Sequence, residues 1–192
     1  MKRINVIGTT GSGKSTVARQ LAEKLCCPWV QMDALFWQPG WTESDDETFM
    51  AAIRDALAGE CWVLDGNYSR TQALKWARVD TIVWLDYSYT RTLLQLLGRT
   101  MSRAITRREL WTGTGNRESF YKSFFTRDSI VLWFFKAWPT IRRRYSQLQG
   151  SDEIKHVNFI RLTCPRETRR FLASVEPESA SADPPALHRR TL

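Results

Sequence analysis

The chain has 192 residues, 43% of them hydrophobic and 25% charged, with a net charge of +8. This is an ordinary soluble-globule composition at a length that suits one domain with a sizeable core. No apolar run approaches the about 20 residues of a membrane span, since the longest, Ile130 to Trp138, is short and carries Lys136.

Arg3-Ile4-Asn5-Val6-Ile7 is short, apolar and β-branched, the pattern of a buried strand. It enters at once, with no signal-peptide apolar region, so a cytoplasmic protein without a membrane partner is expected. Gly8-Thr9-Thr10-Gly11-Ser12-Gly13-Lys14-Ser15 follows and fits the phosphate-loop pattern G-x-x-x-x-G-K-[ST]. Val17, Leu21 and Leu25 then recur every four residues, with Ala18 and Ala22 beside them, which predicts a helix with one apolar face.

The residue types match the chemistry of holding a phosphate. A wrapping loop points successive N–H groups inward, which needs the positive φ and close approach that glycine tolerates. The helix behind it aims its positive dipole end at the same anion. Lys14 adds a full charge, the Ser15 hydroxyl is a ligand for Mg²⁺, and Thr9, Thr10, Ser12 and Thr16 complete the expected nucleotide-binding stretch.

Trp29 to Met32 reads as a second strand ending at Asp33, followed by the aromatic, turn-rich Ala34 to Trp41. Ser44-x-x-Glu47 reads as a capping box opening a helix with Phe49, Ile53 and Leu57 inward. Cys61 to Leu64 is a third strand ending at Asp65, and Gly66 to Arg70 is a loop by composition. A short helical stretch near Gln72 to Ala77 precedes a fourth strand, Thr81 to Leu85, ending at Asp86. A long helix then carries Leu93, Leu94, Leu96 and Leu97 inside and Arg99, Arg103 and Arg107 on its outer face. Thr112 to Asn116 breaks it, and an aromatic helical region from Phe120 to about Trp138 is interrupted by Pro139. His156 to Leu162 is a fifth strand, and Pro165 opens a last helix with Phe171 and Leu172 inward. From residue 176 the chain reads as a disordered tail. Cys26, Cys27, Cys61 and Cys164 form no Cys-x-x-Cys pair and read as reduced thiols without metal.

Strands alternating with helices imply a mostly parallel sheet covered on both faces, with ligands at the carboxyl ends of the strands. Asp33, Asp65 and Asp86 all close strands at that edge. Asp65 is the expected partner of the magnesium ion, with Asp86 second and closer to a helix cap. Asp33 faces the acceptor, either as hydrogen-bond acceptor or as general base. Between Tyr89 and Tyr145 stand 12 Lys and Arg against 3 Asp and Glu, so the basicity belongs to one segment. It suits either a mobile arginine cover over a nucleotide or a nucleic-acid footprint, and Arg142-Arg143-Arg144 suits the second equally.

Trp62-Val63-Leu64-Asp65-Gly66-Asn67-Tyr68-Ser69-Arg70-Thr71 resembles the Leu-Asp-Gly-Phe-Pro-Arg-Thr segment of the adenylate-kinase-like P-loop kinases. The chain to about Val175 resembles, more narrowly, a bacterial family called DNA topology modulation proteins, also described as adenylate kinase-like or AAA family ATPases. The phosphate loop, Asp33 to Trp41, Asp65 to Tyr68 and the arginine-rich helix carry that likeness. It implies a P-loop NTPase three-layer fold over residues 1–175, a five-stranded parallel sheet of order 2-3-1-4-5, and an arginine-rich lid over about 99–125. It also implies that Arg70, with Phe36 beside it, binds the acceptor, and that Arg99 and Arg103 are lid arginines acting with Lys14 in catalysis. Two positions depart from the adenylate kinase pattern. Ser69 replaces a proline, and Ala34 to Trp41 stands where an AMP-binding arginine follows the second strand. The expected function is ATP-dependent phosphoryl transfer to a small-molecule acceptor, with a DNA-associated regulatory ATPase as the alternative.

Overall fold

The computed structural model describes residues 1–107, 109–118 and 129–176. Residue 108 and the end of the expected lid beyond residue 118, the start of the expected aromatic helical region up to residue 128, and the tail from residue 177 lie outside the described residues.

Five parallel strands form the central sheet: β1 (Arg3–Gly8), β2 (Trp29–Gln31), β5 (Trp62–Asp65), β6 (Thr81–Leu85) and β7 (Asn158–Leu162). Their order is β2-β5-β1-β6-β7. The numbering differs from the expected one because two short strands, β3 (Trp37–Gln38) and β4 (Thr42–Glu43), pair antiparallel outside the sheet. The helices are α1 (Lys14–Leu25), α2 (Met32–Phe36), α3 (Asp46–Ala56), α4 (Gln72–Trp76), α5 (Tyr89–Thr106), α6 (Ile130–Leu148) and α7 (Pro165–Ser174).

Both faces of the sheet are covered, and the period of two along each strand divides the core. Ile4, Val6, Val63, Val83 and Leu85 pack on one face against Val17, Ala18 and Leu21 of α1, with Phe171 and Leu172 of α7 at the margin. Ile7, Trp62, Leu64, Ile82 and Trp84 point to the other face. There they meet Phe49 and Ile53 of α3, and Tyr145 and Leu148 of α6. Each such fully buried aliphatic side chain contributes about 1.5–3 kcal/mol relative to exposure.

Several local expectations are corrected. Asp33 does not close a strand. It sits in the first turn of α2, and the stretch read as an apolar loop forms α2 and the β3–β4 hairpin. The cap of α3 is Asp45, one residue after Ser44; its carboxylate accepts from the Thr48 N–H at 2.9 Å, while Ser44 is buried. A charged acceptor at this position satisfies an orphan amide and complements the helix dipole. Leu94 is 64% exposed, because α5 turns Thr92, Leu96 and Thr100 inward instead.

Pro139 does not interrupt α6, which runs through it. Phe134 and Ala137 anchor the helix before the proline, Tyr145 and Leu148 after it, so packing outweighs one lost backbone bond. Asp86 does not cap α5, which begins after Ser88, and arginines occupy its carboxylate. Arg161 donates to its carboxylate through both Nε and Nη2, and Arg142 Nε lies 3.1 Å away. Arg144 in turn donates to Gln72. Two of the three arginines read as a nucleic-acid footprint are therefore engaged within the fold. Among the described residues no cysteine forms a disulfide, and no helix is long and apolar enough to cross a membrane.

Lys75 of α4 is 1% exposed, and its ammonium has one protein contact, to the Tyr68 carbonyl at 3.4 Å. Burial, aided by Arg144, lowers its pKa from the ordinary lysine value to about 7. Below pH 7 both folded and unfolded chains hold the proton, and the folded one bears the full desolvation penalty. Above it the unfolded chain binds more protons, so this group's penalty lifts as pH rises from 7 towards 10.5. Lys75→Met is expected to raise stability at pH 6 by on the order of 2 kcal/mol and by much less at pH 10. Urea unfolding at the two pH values checks this; an equal effect at both would contradict it.

Candidate functional site

Strand register assembles the site. Asp65 pairs with Val6 of β1 and Gln31 of β2, and Gly8 pairs with Leu85. The carboxyl ends of β1, β2 and β5 therefore bring the Gly8 loop, α2 and Asp65 to one edge, as expected for ligand binding in such sheets.

The loop from Gly8 to Lys14 is held on three sides. Asn67 Oδ1 accepts from the Gly8 N–H at 3.2 Å, and its amide donates back to the Gly8 carbonyl. Gly11 has φ 83°, and a Cβ there would lie 2.7 Å from Leu96 Cβ and 2.8 Å from the Thr92 carbonyl oxygen, so only glycine permits this seat on α5. Gly13 (φ 90°) precedes α1 in the left-handed region, and the helix start has no side-chain cap. A Cβ on Gly13 would meet no atom within 4 Å, so the mouth of the loop is open. Thr9 and Ser12 are buried beneath it, Thr10 is half-buried and Thr16 is exposed on the first turn of α1. Uncapped N–H groups facing open space at a helix start are what an anion requires.

Two cations converge on this mouth. Lys14, half-buried, has no hydrogen-bond or ion-pair partner among the described residues. Arg99 donates from Nη2 to the Thr10 hydroxyl at 3.3 Å, yet its buried Nε has no acceptor. Burial and the charge of Arg103 hold the Arg99 guanidinium below its ordinary pKa, with Glu118, Asp33 and Asp65 opposing. Arg99 thus faces the loop; it is not on the outer face of α5.

Asp65 is 6% exposed, and its Oδ1 is buried without a hydrogen-bond donor. Burial raises its pKa, Lys14 and the Ser15 hydroxyl oppose the shift, and Asp33 adds to it. Asp33, itself exposed, accepts from the Tyr68 hydroxyl at 2.8 Å. Burial and that contact raise the Tyr68 pKa, so the phenol keeps its proton to donate.

The remaining expected residues are placed differently. Arg103 Nη1 pairs with Glu118 Oε1 at 2.9 Å, not with the loop. Phe36 is 5% exposed in a ring cluster with Phe49 and Tyr68, at centroid distances of 5.1 Å. Arg70 lies over the Phe36 ring at 4.8 Å and pairs with Asp46 at 2.6 Å. Asn67 and Tyr68 were missed as site residues. The signal that could have found Asn67 is its place two residues after Asp65, at the tip of the strand beside the loop.

No family model matches the chain, and no curated protein matches it. Two solved structures are similar to it over most of its length. A gluconokinase from Sinorhizobium meliloti 1021 is 19% identical with a TM-score of 0.50, covering 90% of this chain and 91% of its own. A sugar kinase from Janibacter sp. HTCC2649 is 15% identical with a TM-score of 0.49, covering 90% and 93%. At this identity the gluconokinase likeness shows the fold alone: helices around a five-stranded parallel sheet.

Proposed function

We propose that the protein is an ATP-dependent phosphotransferase that moves the γ-phosphoryl group of MgATP to a small hydroxyl-bearing acceptor. The observation that carries this reading is the convergence of Lys14 and Arg99, neither bound to an anion, on a glycine loop whose helix start is uncapped. Two cations held close to each other with no ion pair among the described residues, one of them with a buried Nε that has no acceptor, favour an anion at the loop mouth. The likeness in fold to a gluconokinase is in keeping with it.

The loop amides cradle the phosphate oxygens, and Lys14 and Arg99 neutralise charge that spreads over the equatorial oxygens during transfer. The residues present also fit Mg²⁺. Asp65 Oδ1 is a buried carboxylate oxygen lacking a donor, and Ser15 stands next to it. A magnesium ion held mainly by substrate phosphates needs only one or two protein ligands. Bound there, it would neutralise charge on the β- and γ-phosphates. Asp33, oriented by Tyr68, takes the proton or hydrogen bond of the acceptor hydroxyl. Arg103 acts indirectly, tying residues 109–118 to α5 through Glu118. No part of this reading needs nucleic acid or a membrane.

A screen of nucleosides, nucleoside monophosphates, sugars and small polyols for ATP-dependent phosphorylation tests the proposal. At least one acceptor is expected to raise ADP release well above the acceptor-free rate, with stoichiometric phosphorylated product. ADP release that no acceptor raises would count against transfer and for simple hydrolysis.

A further inference from the structure

The two sides of the site hold their charges differently. On the loop side, Lys14 and Arg99 form no ion pair among the described residues, although the charge of buried Asp65 reaches both. On the side of Tyr68, the arginine whose charge reaches the phenol is spent. Arg70 lies over Phe36 and Phe49, at 4.8 and 5.3 Å, and its Nη1 is 2.6 Å from Asp46 Oδ1. Arg103, the next along, is held by Glu118.

Negative charge gathers in the same place. Asp33 accepts from the Tyr68 hydroxyl. Glu43 pairs across the β3–β4 hairpin with Trp37, next to Phe36, and its charge reaches the Tyr68 phenol. Asp33 and Glu43 thus bring negative charge to the Tyr68 phenol, and Asp46 holds the guanidinium of Arg70, whose own charge reaches the same phenol. An incoming phosphate or carboxylate would meet like charge and would have to displace Asp46 to reach Arg70. Like charges brought together at a binding surface reject a ligand more strongly than a screened exposed pair attracts one.

We propose that the acceptor is an uncharged hydroxyl compound, and that Asp33, Glu43 and Asp46 exclude anionic acceptors such as nucleoside monophosphates and sugar acids. This rests on the phosphotransferase reading and names the acceptor's charge class. In the step it implies, the acceptor oxygen forms a bond to the γ-phosphorus. The bond from that phosphorus to the β,γ-bridging oxygen breaks, and its electron pair leaves on ADP. The acceptor proton passes to an Asp33 carboxylate oxygen and from there to solvent.

The test uses the full chain saturated with magnesium and a non-hydrolysable ATP analogue, so that the loop is filled. AMP and ribose 5-phosphate are then titrated calorimetrically into the parent and into the Glu43→Gln, Asp46→Asn double variant. Both substitutions are on exposed side chains and leave the Asp45 cap of α3 in place. The parent is expected to bind neither anion below millimolar concentration. The double variant, with two charges removed and Arg70 released, is expected to bind them about tenfold or more tightly, and the gain should shrink with added salt. Submillimolar binding by the parent, or no gain in the double variant, overturns the proposal. Failure of the phosphotransferase reading would appear separately, in the first step, as no binding of the analogue.

Discussion

Lys14→Ala is expected to lower phosphoryl transfer by about 10²- to 10³-fold, the loss typical of removing one charged or hydrogen-bonding group aimed at a developing negative charge. Within the fold this ammonium makes no hydrogen bond or ion pair among the described residues, and its one resolved role is to offset part of the burial cost of the Asp65 carboxylate. It heads α1, where a cation is unfavourable to the helix dipole, so its removal relieves a small electrostatic cost. With these two effects opposed, stability should stay nearly level while turnover collapses. Arg99 and the loop amides remain, which sets the residual rate above zero. Initial rates of ADP release, paired with thermal unfolding of the same preparation, read both quantities. Parental turnover in a folded Lys14→Ala protein would remove this lysine from the mechanism.

Asp65→Asn is expected to move stability and activity in opposite directions. The carboxylate is buried with an unpartnered oxygen, and burial raises its pKa. The unfolded carboxyl ionises first, near 3.8, while the folded one still holds its proton; stability therefore falls with rising pH between 3.8 and the raised value, above which the full penalty is present. Asparagine never ionises, so the variant should unfold a few degrees higher at pH 7 without nucleotide, and the difference should vanish near pH 3. Turnover should fall about 10- to 100-fold, because the group that orients the magnesium ion or its water is gone. A variant that loses stability and activity together would mark Asp65 as structural instead.

The readable parts of the sequence were those where local pattern and chemistry coincide. The strand, glycine loop and helix from Arg3 to Leu25 each support the others, so these three elements could be placed without tertiary knowledge. Asp65 could be named because an apolar strand ending in a carboxylate reaches the ligand edge of any parallel sheet. What failed depends on contacts far apart in the chain. A spacing of four puts Arg99, Arg103 and Arg107 on one face of α5, but periodicity does not say which face is inward; Gly11 against Leu96 and Thr92 decides it. A five-residue helix such as α2 is too short for a periodic signal, and its aromatic content imitates a covering loop. The Tyr68–Asp33 contact spans 35 residues, and the Arg70–Asp46 pair joins two elements that sequence alone leaves unrelated. Those two contacts are what turn the proposed acceptor side from the phosphate clamp expected of Arg70 into a surface proposed to repel phosphate.

The central claim is that the Gly8–Ser15 loop holds the phosphates of a magnesium nucleoside triphosphate. Calorimetric titration of a non-hydrolysable ATP analogue with Mg²⁺ into the parent and Lys14→Ala proteins tests it most directly. Saturable binding at one site per chain in the parent, weakened at least tenfold in Lys14→Ala, is the predicted result. No heat of binding for any magnesium nucleoside triphosphate in the parent, or equal affinity in both proteins, would contradict it.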